Sequence, residues 1–214
     1  MVLSGLRSAI SDAITNEIPK HGGAVFDFGC GDRPYETFFR NAGWKYTGGD
    51  IQDSAEIQIN PEKIIPLPDQ SFEGLLSFQV LEHIWNLDWY FTECRRLLKA
   101  DGWLLLSTHG HWPYHPVPHD FRRWTREGLF RELESRGFKI IKFWPIVGPL
   151  ALATQYRLLG LREVFKSIPL IQFTLLKAII LFSNLRMLFE EKITPRSFLE
   201  ENSSHYLIYA KIVS

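Results

Sequence analysis

Two periods of apolar residues run through this chain, and the switches between them mark its elements. Leu3, Leu6, Ile10, Ala13, Ile14 and Ile18 recur at helical spacing. They predict an amphipathic helix that ends near Pro19 and the Gly22–Gly23 pair. Residues 24–28 are apolar except for Asp27 and predict a buried strand. A short helix over 34–41 should stop at Gly43. Strands follow at 44–49, briefly at 56–59 and at 73–80, with a proline-rich loop, IIPLPDQSF, before the last of these. Leu87, Tyr90, Phe91, Cys94, Leu97 and Leu98 share one helical face, and Asn86 is placed to cap it. A buried strand is expected at 103–107. Thr125 can cap a helix that turns Leu129, Phe130 and Leu133 inward and stops at Gly137. Strands at 138–144 and 205–213 complete the pattern. Strands and helices in alternation predict an α/β fold with a mostly parallel sheet covered on both faces.

Residues 146–192 break that rhythm and are too long for a simple connection. They predict a helical insertion or lid before the last strand, within one domain spanning 1–214. Residues 168–182 are nearly all apolar, interrupted by Gln172, Thr174 and Lys177. A membrane span needs about 20 predominantly apolar residues, and a lysine near its middle costs about 2.5–3.5 kcal/mol. Helical spacing leaves a broad apolar face instead. That face suits a roof over a pocket, a partner subunit in a homodimer, or contact with a membrane surface.

Charge narrows the class of partner. The 214 residues carry 24 basic and 24 acidic side chains, which gives no global electrostatic reason to seek nucleic acid. Two cysteines are too few for a disulfide framework and lack metal-ligand spacing. The first helix contains Asp12 and Glu17 and has no sustained apolar core, unlike a signal peptide. A reducing, cytoplasmic setting is expected, with peripheral membrane contact through 146–192 as its variant.

Candidate chemistry begins at AVFDFGCGDRPY, residues 24–35. A strand followed by Gly29-Cys30-Gly31 lets the backbone turn tightly and approach a ligand. Asp50, at the end of the second strand, lies 19 residues past Gly31. At that spacing an acid on a neighbouring strand can receive a ribose; the plainer alternative is an acid that caps a loop. A dinucleotide fingerprint would want a third glycine where Pro34 stands.

Asp27-x-Gly29-x-Gly31, Asp50 and LPDQSFEGLLSFQVLEHI at 67–84 together resemble the class I S-adenosylmethionine-dependent methyltransferases, in particular the UbiE-like small-molecule enzymes. The resemblance covers about two thirds of the chain. It implies a Rossmann-like, seven-stranded sheet with an antiparallel last strand, and S-adenosylmethionine as cofactor. It implies that Gly29 and Gly31 approach the cofactor's amino-acid part, that Asp27 serves its ammonium, and that Asp50 holds the ribose hydroxyls. Ile51 would pack on the adenine. Asn60 stands where the family commonly has an acid reading the adenine amino group. Gln79 and Val80 would meet the methionine part, with His83 beside them.

The segment from His109 to Trp124 is the densest in polar and aromatic residues, with four of the seven histidines between His109 and His119. Prolines at 113, 116 and 118 break any regular face, so no metal site is expected. The segment reads as an acceptor loop, with Trp112 and Tyr114 as walls and Arg122 and Arg123 as anion holders. His109 and His111 are the candidate bases, with Asp120 and His83 behind them. The plainer reading is a stiff loop whose Asp120 and arginines pair locally. HPVPHDFRRWT also resembles a loop of methyltransferases associated with surface glycans. The expected reaction is therefore methyl transfer to a small or glycan-related acceptor, at oxygen. Two other classes stay open: a non-catalytic interaction protein on a degenerate methyltransferase fold, and a nicotinamide dinucleotide enzyme.

Overall fold

The structure is a computed structural model that describes residues 1–166 and 175–213. After helix α1 (Val2–Asn16) come β1 (Gly23–Phe28), α2 (Glu36–Asn41), β2 (Trp44–Asp50), β3 (Ile57–Gln58) and β4 (Phe72–Phe78). A 3-10 turn at Leu81–His83 leads to α3 (Leu87–Leu97), β5 (Leu98–His109), α4 (Arg126–Ser135) and β6 (Phe138–Ile146). Helices Pro149–Phe165, Leu175–Ile193 and Arg196–Glu201 precede β7 (His205–Ile212).

The sheet has seven strands in the order β3-β2-β1-β4-β5-β7-β6. Only β7 runs antiparallel, against both β5 and β6. Alternate residues feed two cores, as the two-residue period of a strand requires. Phe26, Leu104 and Leu106 face α3 and α4, packing with Tyr90, Phe91, Cys94, Leu129 and Leu133. Val25, Trp103 and Leu105 face the other side, with Leu6, Ile10 and Ala13 of α1 and Phe39 of α2. A fully buried side chain such as Phe91 contributes roughly 1.5–3 kcal/mol.

The expected caps form. Asn86 Oδ1 accepts from the Trp89 N–H at 3.1 Å, and Thr125 Oγ1 accepts from the Gly128 N–H at 3.1 Å. Three boundaries move for local reasons. Helix α2 starts at Glu36 rather than at 34, because Arg33 sits at φ +56, outside the helical region. Strand β4 stops at Phe78 rather than at 80, because Gln79 adopts φ +58. Strand β5 begins at Leu98, five residues early, and its register against β4 jumps from Phe72↔Leu98 to Gly74↔Trp103 around Gly102. Residues 99–102 thus form an excursion inside the strand.

Within 146–192, helices Pro149–Phe165 and Leu175–Ile193 are tied by Thr154 Oγ1, which donates to Glu190 Oε2 at 2.6 Å. Glu191 adds a second tie by accepting from the N–H of Gly148, the residue that caps the first of them, at 2.8 Å. The apolar run expected over 168–182 lies outside the described residues as far as 174. Among the described residues no helix is long and apolar enough to cross a membrane.

Candidate active site

Strands β1 and β4 lie side by side where the strand order reverses. In open α/β sheets the crevice outside the carboxyl ends at such a point is where ligands bind. A cavity of about 940 Å³ opens there, towards the top of the usual range of roughly 300–1,000 Å³ for ligand sites. Gly29, Asp50, Ile51, Gln79, Val80, His83, His109 and Trp112 of the expected set line it together.

The glycine corner is built against the end of β2. The N–H groups of Gly29 and Cys30 donate to Gly49 O at 2.8 and 3.0 Å, and the Gly31 N–H donates to Asp50 Oδ2 at 2.8 Å. Asp50 Oδ1 accepts from the Gln52 N–H at 3.1 Å. A carboxylate has about four lone-pair positions, so Asp50 both fixes the corner and keeps acceptor capacity for hydroxyl groups in the cavity. Gly29 has φ +78, and a β-carbon there would lie 2.4 Å from Val80 Cγ2. The corner therefore requires glycine, and a close backbone approach to a ligand is open.

Asp27 is buried one layer behind. Its Oδ2 accepts from the Tyr46 hydroxyl at 2.6 Å. Burial, opposed by that hydrogen bond and aided by the charge of Asp50, pushes its carboxyl up to about 7. It supports the corner through β2 and does not line the cavity. Asn60 is exposed between Ile59 and Pro61, which do line it. Gln79 lines the cavity, with Nε2 donating to Ser107 Oγ at 2.9 Å.

The loop after β5 is a clasp. Arg123 donates from Nε to Trp112 O at 2.9 Å and from Nη2 to Pro113 O and Asp120 Oδ2 at 2.7 and 2.6 Å. Its Nη1 donates to Asp120 Oδ1 and Arg122 O. All five guanidinium donors are thus used inside the loop, so Arg123 is no free anion holder. Arg122 likewise donates to the carbonyls of Ile84 and Trp85. Asp120 is held down to about 2, chiefly by Arg123, and also accepts from the His115 N–H. It is no base at neutral pH. Tyr114 is 78% exposed and His111 is exposed; neither lines the cavity. The wall is completed instead by His115, Val117, Pro118 and Phe121, and by Val2, Leu3 and Leu6 of α1. No described residue of 146–192 lines the cavity, so the roof expected from the insertion falls to α1 and this loop.

Two residues absent from the sequence reading meet His109, of which His205 lines the cavity and Glu82 does not. Glu82 is fully buried; its Oε2 accepts from Thr108 Oγ1 at 2.7 Å, and its Oε1 lies 3.4 Å from His109 Nε2 and 3.9 Å from His83 Nε2. His205 faces His109 across the β5–β7 register, ring centroids 4.6 Å apart. Burial pushes His109 down to about 2 and His205 down to about 3, so both rings are neutral near pH 7. Glu82 had one local signal, an acid beside a histidine in the apolar stretch 67–84. His205 had none, because only the sheet register brings it to His109. Among the described residues no three metal-ligating side chains converge.

Comparison with known proteins agrees with this architecture. A probable methyltransferase of Mycolicibacterium smegmatis, named as S-adenosylmethionine-dependent, is 26% identical over 136 residues, which is 56% of this chain and 53% of that protein. The chain thus aligns with about half the length of that curated relative. The S-adenosylmethionine-dependent methyltransferase of Mesorhizobium loti has the same fold at TM-score 0.58 and 14% identity, over 94% of this chain and 97% of that one. So does the 1,6-didemethyltoxoflavin-N1-methyltransferase of Burkholderia thailandensis, solved with 1,6-didemethyltoxoflavin and S-adenosylhomocysteine. Its TM-score is 0.55 at 13% identity, over 99% of this chain and 89% of that one. Residues 3–143 match the profile of the methyltransferase-domain family, and with two thirds of its length so matched the chain belongs to that family.

Proposed function

We propose that this protein transfers a methyl group from S-adenosylmethionine to a hydroxyl of a small or glycan-related acceptor. The observation that carries the reading is the placement of Asp50 and Gly29 on one wall of the same cavity, with Val80 closing the space a side chain at 29 would need. Such a wall fits a nucleoside: an ionised carboxylate for ribose hydroxyls, bare backbone for the amino-acid part and Ile51 for the ring. When bound, the cofactor supplies an electrophilic methyl group on a positively charged sulfur. The protein's own task is to align the acceptor and exclude water; alignment alone can lower a barrier by up to roughly 7–11 kcal/mol. The side of the cavity formed by His83, His109, Trp112 and His115 is left for the acceptor. Arg122 and Arg123 shape that side through their loop contacts. Calorimetry with S-adenosylhomocysteine tests the reading. Saturable one-to-one binding is expected; binding of a nicotinamide dinucleotide instead, or of neither, would overturn it.

The insertion supports a location as well. Leu181, Phe182, Leu185, Leu188 and Phe189 are all more than half exposed and fall on one face of helix Leu175–Ile193. Lys177, Arg186 and Lys192 stand on or beside that face by helical spacing. Exposed apolar faces of this size mark interaction sites, and flanking cations suit an anionic lipid surface. The wild type is expected to float with vesicles of phosphatidylglycerol and phosphatidylcholine, and a Leu181→Glu, Leu185→Glu variant to stay behind. Self-association in sedimentation without flotation would assign the face to a homodimer.

A further inference from the structure

Five described histidines line the cavity, and their ring nitrogens are not equally placed to meet a ligand. His109 Nδ1 is buried without a partner, and burial holds that ring neutral. His205 is buried as well, its Nδ1 against Ser204 Oγ at 2.8 Å. His115 and His119 are exposed on the loop after β5, and their rings take part in no hydrogen bond among the described residues.

His83 differs from all four. It sits in the 3-10 turn after β4, its backbone N–H donates to Val80 O at 2.9 Å, and its side chain is 14% exposed. Its Nδ1 is bonded to His119 O on the loop. A carbonyl oxygen only accepts, so Nδ1 carries the hydrogen and Nε2 carries the lone pair. Nε2 has no hydrogen-bond partner among the described residues. It is not one of the five buried side-chain polar atoms in that condition, so it is open to the cavity that His83 lines.

We propose that His83 Nε2 takes the proton of the acceptor hydroxyl, with the carbonyl of His119 setting the tautomer that leaves Nε2 free. This rests on the methyl-transfer reading above. A general base must lie within hydrogen-bond reach of the proton it removes, and a ring fixed through its backbone and its Nδ1 keeps Nε2 in one place. As the acceptor oxygen bonds to the methyl carbon, its O–H bond breaks and the proton passes to Nε2, while the carbon–sulfur bond breaks with its electrons left on sulfur, which becomes a neutral thioether. The positive charge thus moves from sulfur to the ring. Glu82 Oε1 lies 3.9 Å from Nε2 and faces that charge. An opposite charge at about 4–6 Å favours the protonated ring. Burial pushes the Glu82 carboxyl up to about 7, so this support is present above that pH; from the loop, Arg123 and Asp120 act on Glu82 with opposite signs. The other titratable rings facing His83 are His115, with centroids 6.0 Å apart, and the neutral His109. The loop is pinned to the same turn by the Phe121 N–H, which donates to Glu82 O at 2.9 Å. The base is therefore ready only while the loop lies against the turn.

Nitrogen NMR of the histidine rings tests this without an acceptor, with His83 assigned through His83→Gln, or through His83→Asn if the first variant does not fold. In the wild type the neutral His83 ring should be the Nδ1–H tautomer. The pH at which it gains a proton should be lower with S-adenosylmethionine bound than with S-adenosylhomocysteine, by about one pH unit, because a like charge within roughly 4–6 Å disfavours the protonated ring. The two ligands differ only in the methyl group and the charge on sulfur. His21, exposed in the turn before β1, is the reference and should titrate alike in both complexes. An Nε2–H tautomer of His83, or equal titration of His83 in the two complexes, would overturn the proposal. Calorimetry with S-adenosylhomocysteine reports separately on the methyl-transfer reading, since binding can hold while His83 fails either test.

Discussion

Asp50→Ala should weaken S-adenosylhomocysteine binding by about 10–150-fold. The range corresponds to the roughly 1.5–3 kcal/mol that hydrogen bonds to a charged group contribute. Two losses combine in this variant. The carboxylate that would receive the ribose hydroxyls is gone, and the N–H groups of Gly31 and Gln52 lose the oxygens that hold them at 2.8 and 3.1 Å. Asp53→Ala is the control. It removes the same charge from the same loop, but Asp53 does not line the cavity; its Oδ1 accepts from the Gln58 side chain. Calorimetry on the two folded variants should separate them by at least tenfold, and equal affinities would take Asp50 out of the site.

Gly29→Ala should cost the fold roughly 2–5 kcal/mol. About 1–2 of that comes from holding an L-residue at φ +78. A further 1–3 comes from forcing a methyl group 2.4 Å from Val80 Cγ2. For a chain of this length each kcal/mol lowers the melting temperature by about 2–4 °C, so a fall on the order of 10 °C is expected. The corner cannot move aside, because the N–H groups at 29 and 30 are both bonded to Gly49 O. Adding Val80→Ala should recover the steric share and leave the backbone share. The two substitutions should therefore be non-additive by about 1 kcal/mol or more. A Gly29→Ala variant that melts within a degree of the wild type would mean that the corner is looser than its hydrogen bonds indicate.

Sequence reading reached those parts of the site whose partners are local or whose geometry is dictated by one residue type. Gly29 and Gly31 are needed for positive φ, and Asp50 ends its strand next to them. Asn86 and Thr125 cap helices whose first turn lies three residues away. The loop from 109 to 124 runs along the cavity, but roles within it could not be read. Arg122 and Arg123 look like free cations in a string of letters; folded, they hold carbonyls of segments up to 38 residues distant. His109 and His111 are two apart and look equivalent, yet the first ends a strand inside the wall and the second points into solvent. Strand β5, expected to end at Ser107, runs on through Thr108 and His109. Those two are buried because Glu82 and His205 meet them, and that meeting depends on the pairing of β5 with β4 and β7. The insertion was legible as helices, while its distance from the cavity depends on three-dimensional placement alone.

The position of β7 between β5 and β6 has a consequence for how the molecule is made. During synthesis from the N-terminus, β1 to β5 can assemble in order, but β6 has no strand to join until residues 205–212 emerge. The same late strand brings His205 to the wall and closes the open side of His109. A nascent chain short of it would carry a glycine corner and Asp50 already in place, beside a cavity still missing His205 from its lining. The glycine corner and the His109–His205 face are thus separated in time on the ribosome, and a chain interrupted in the insertion would carry the first without the second.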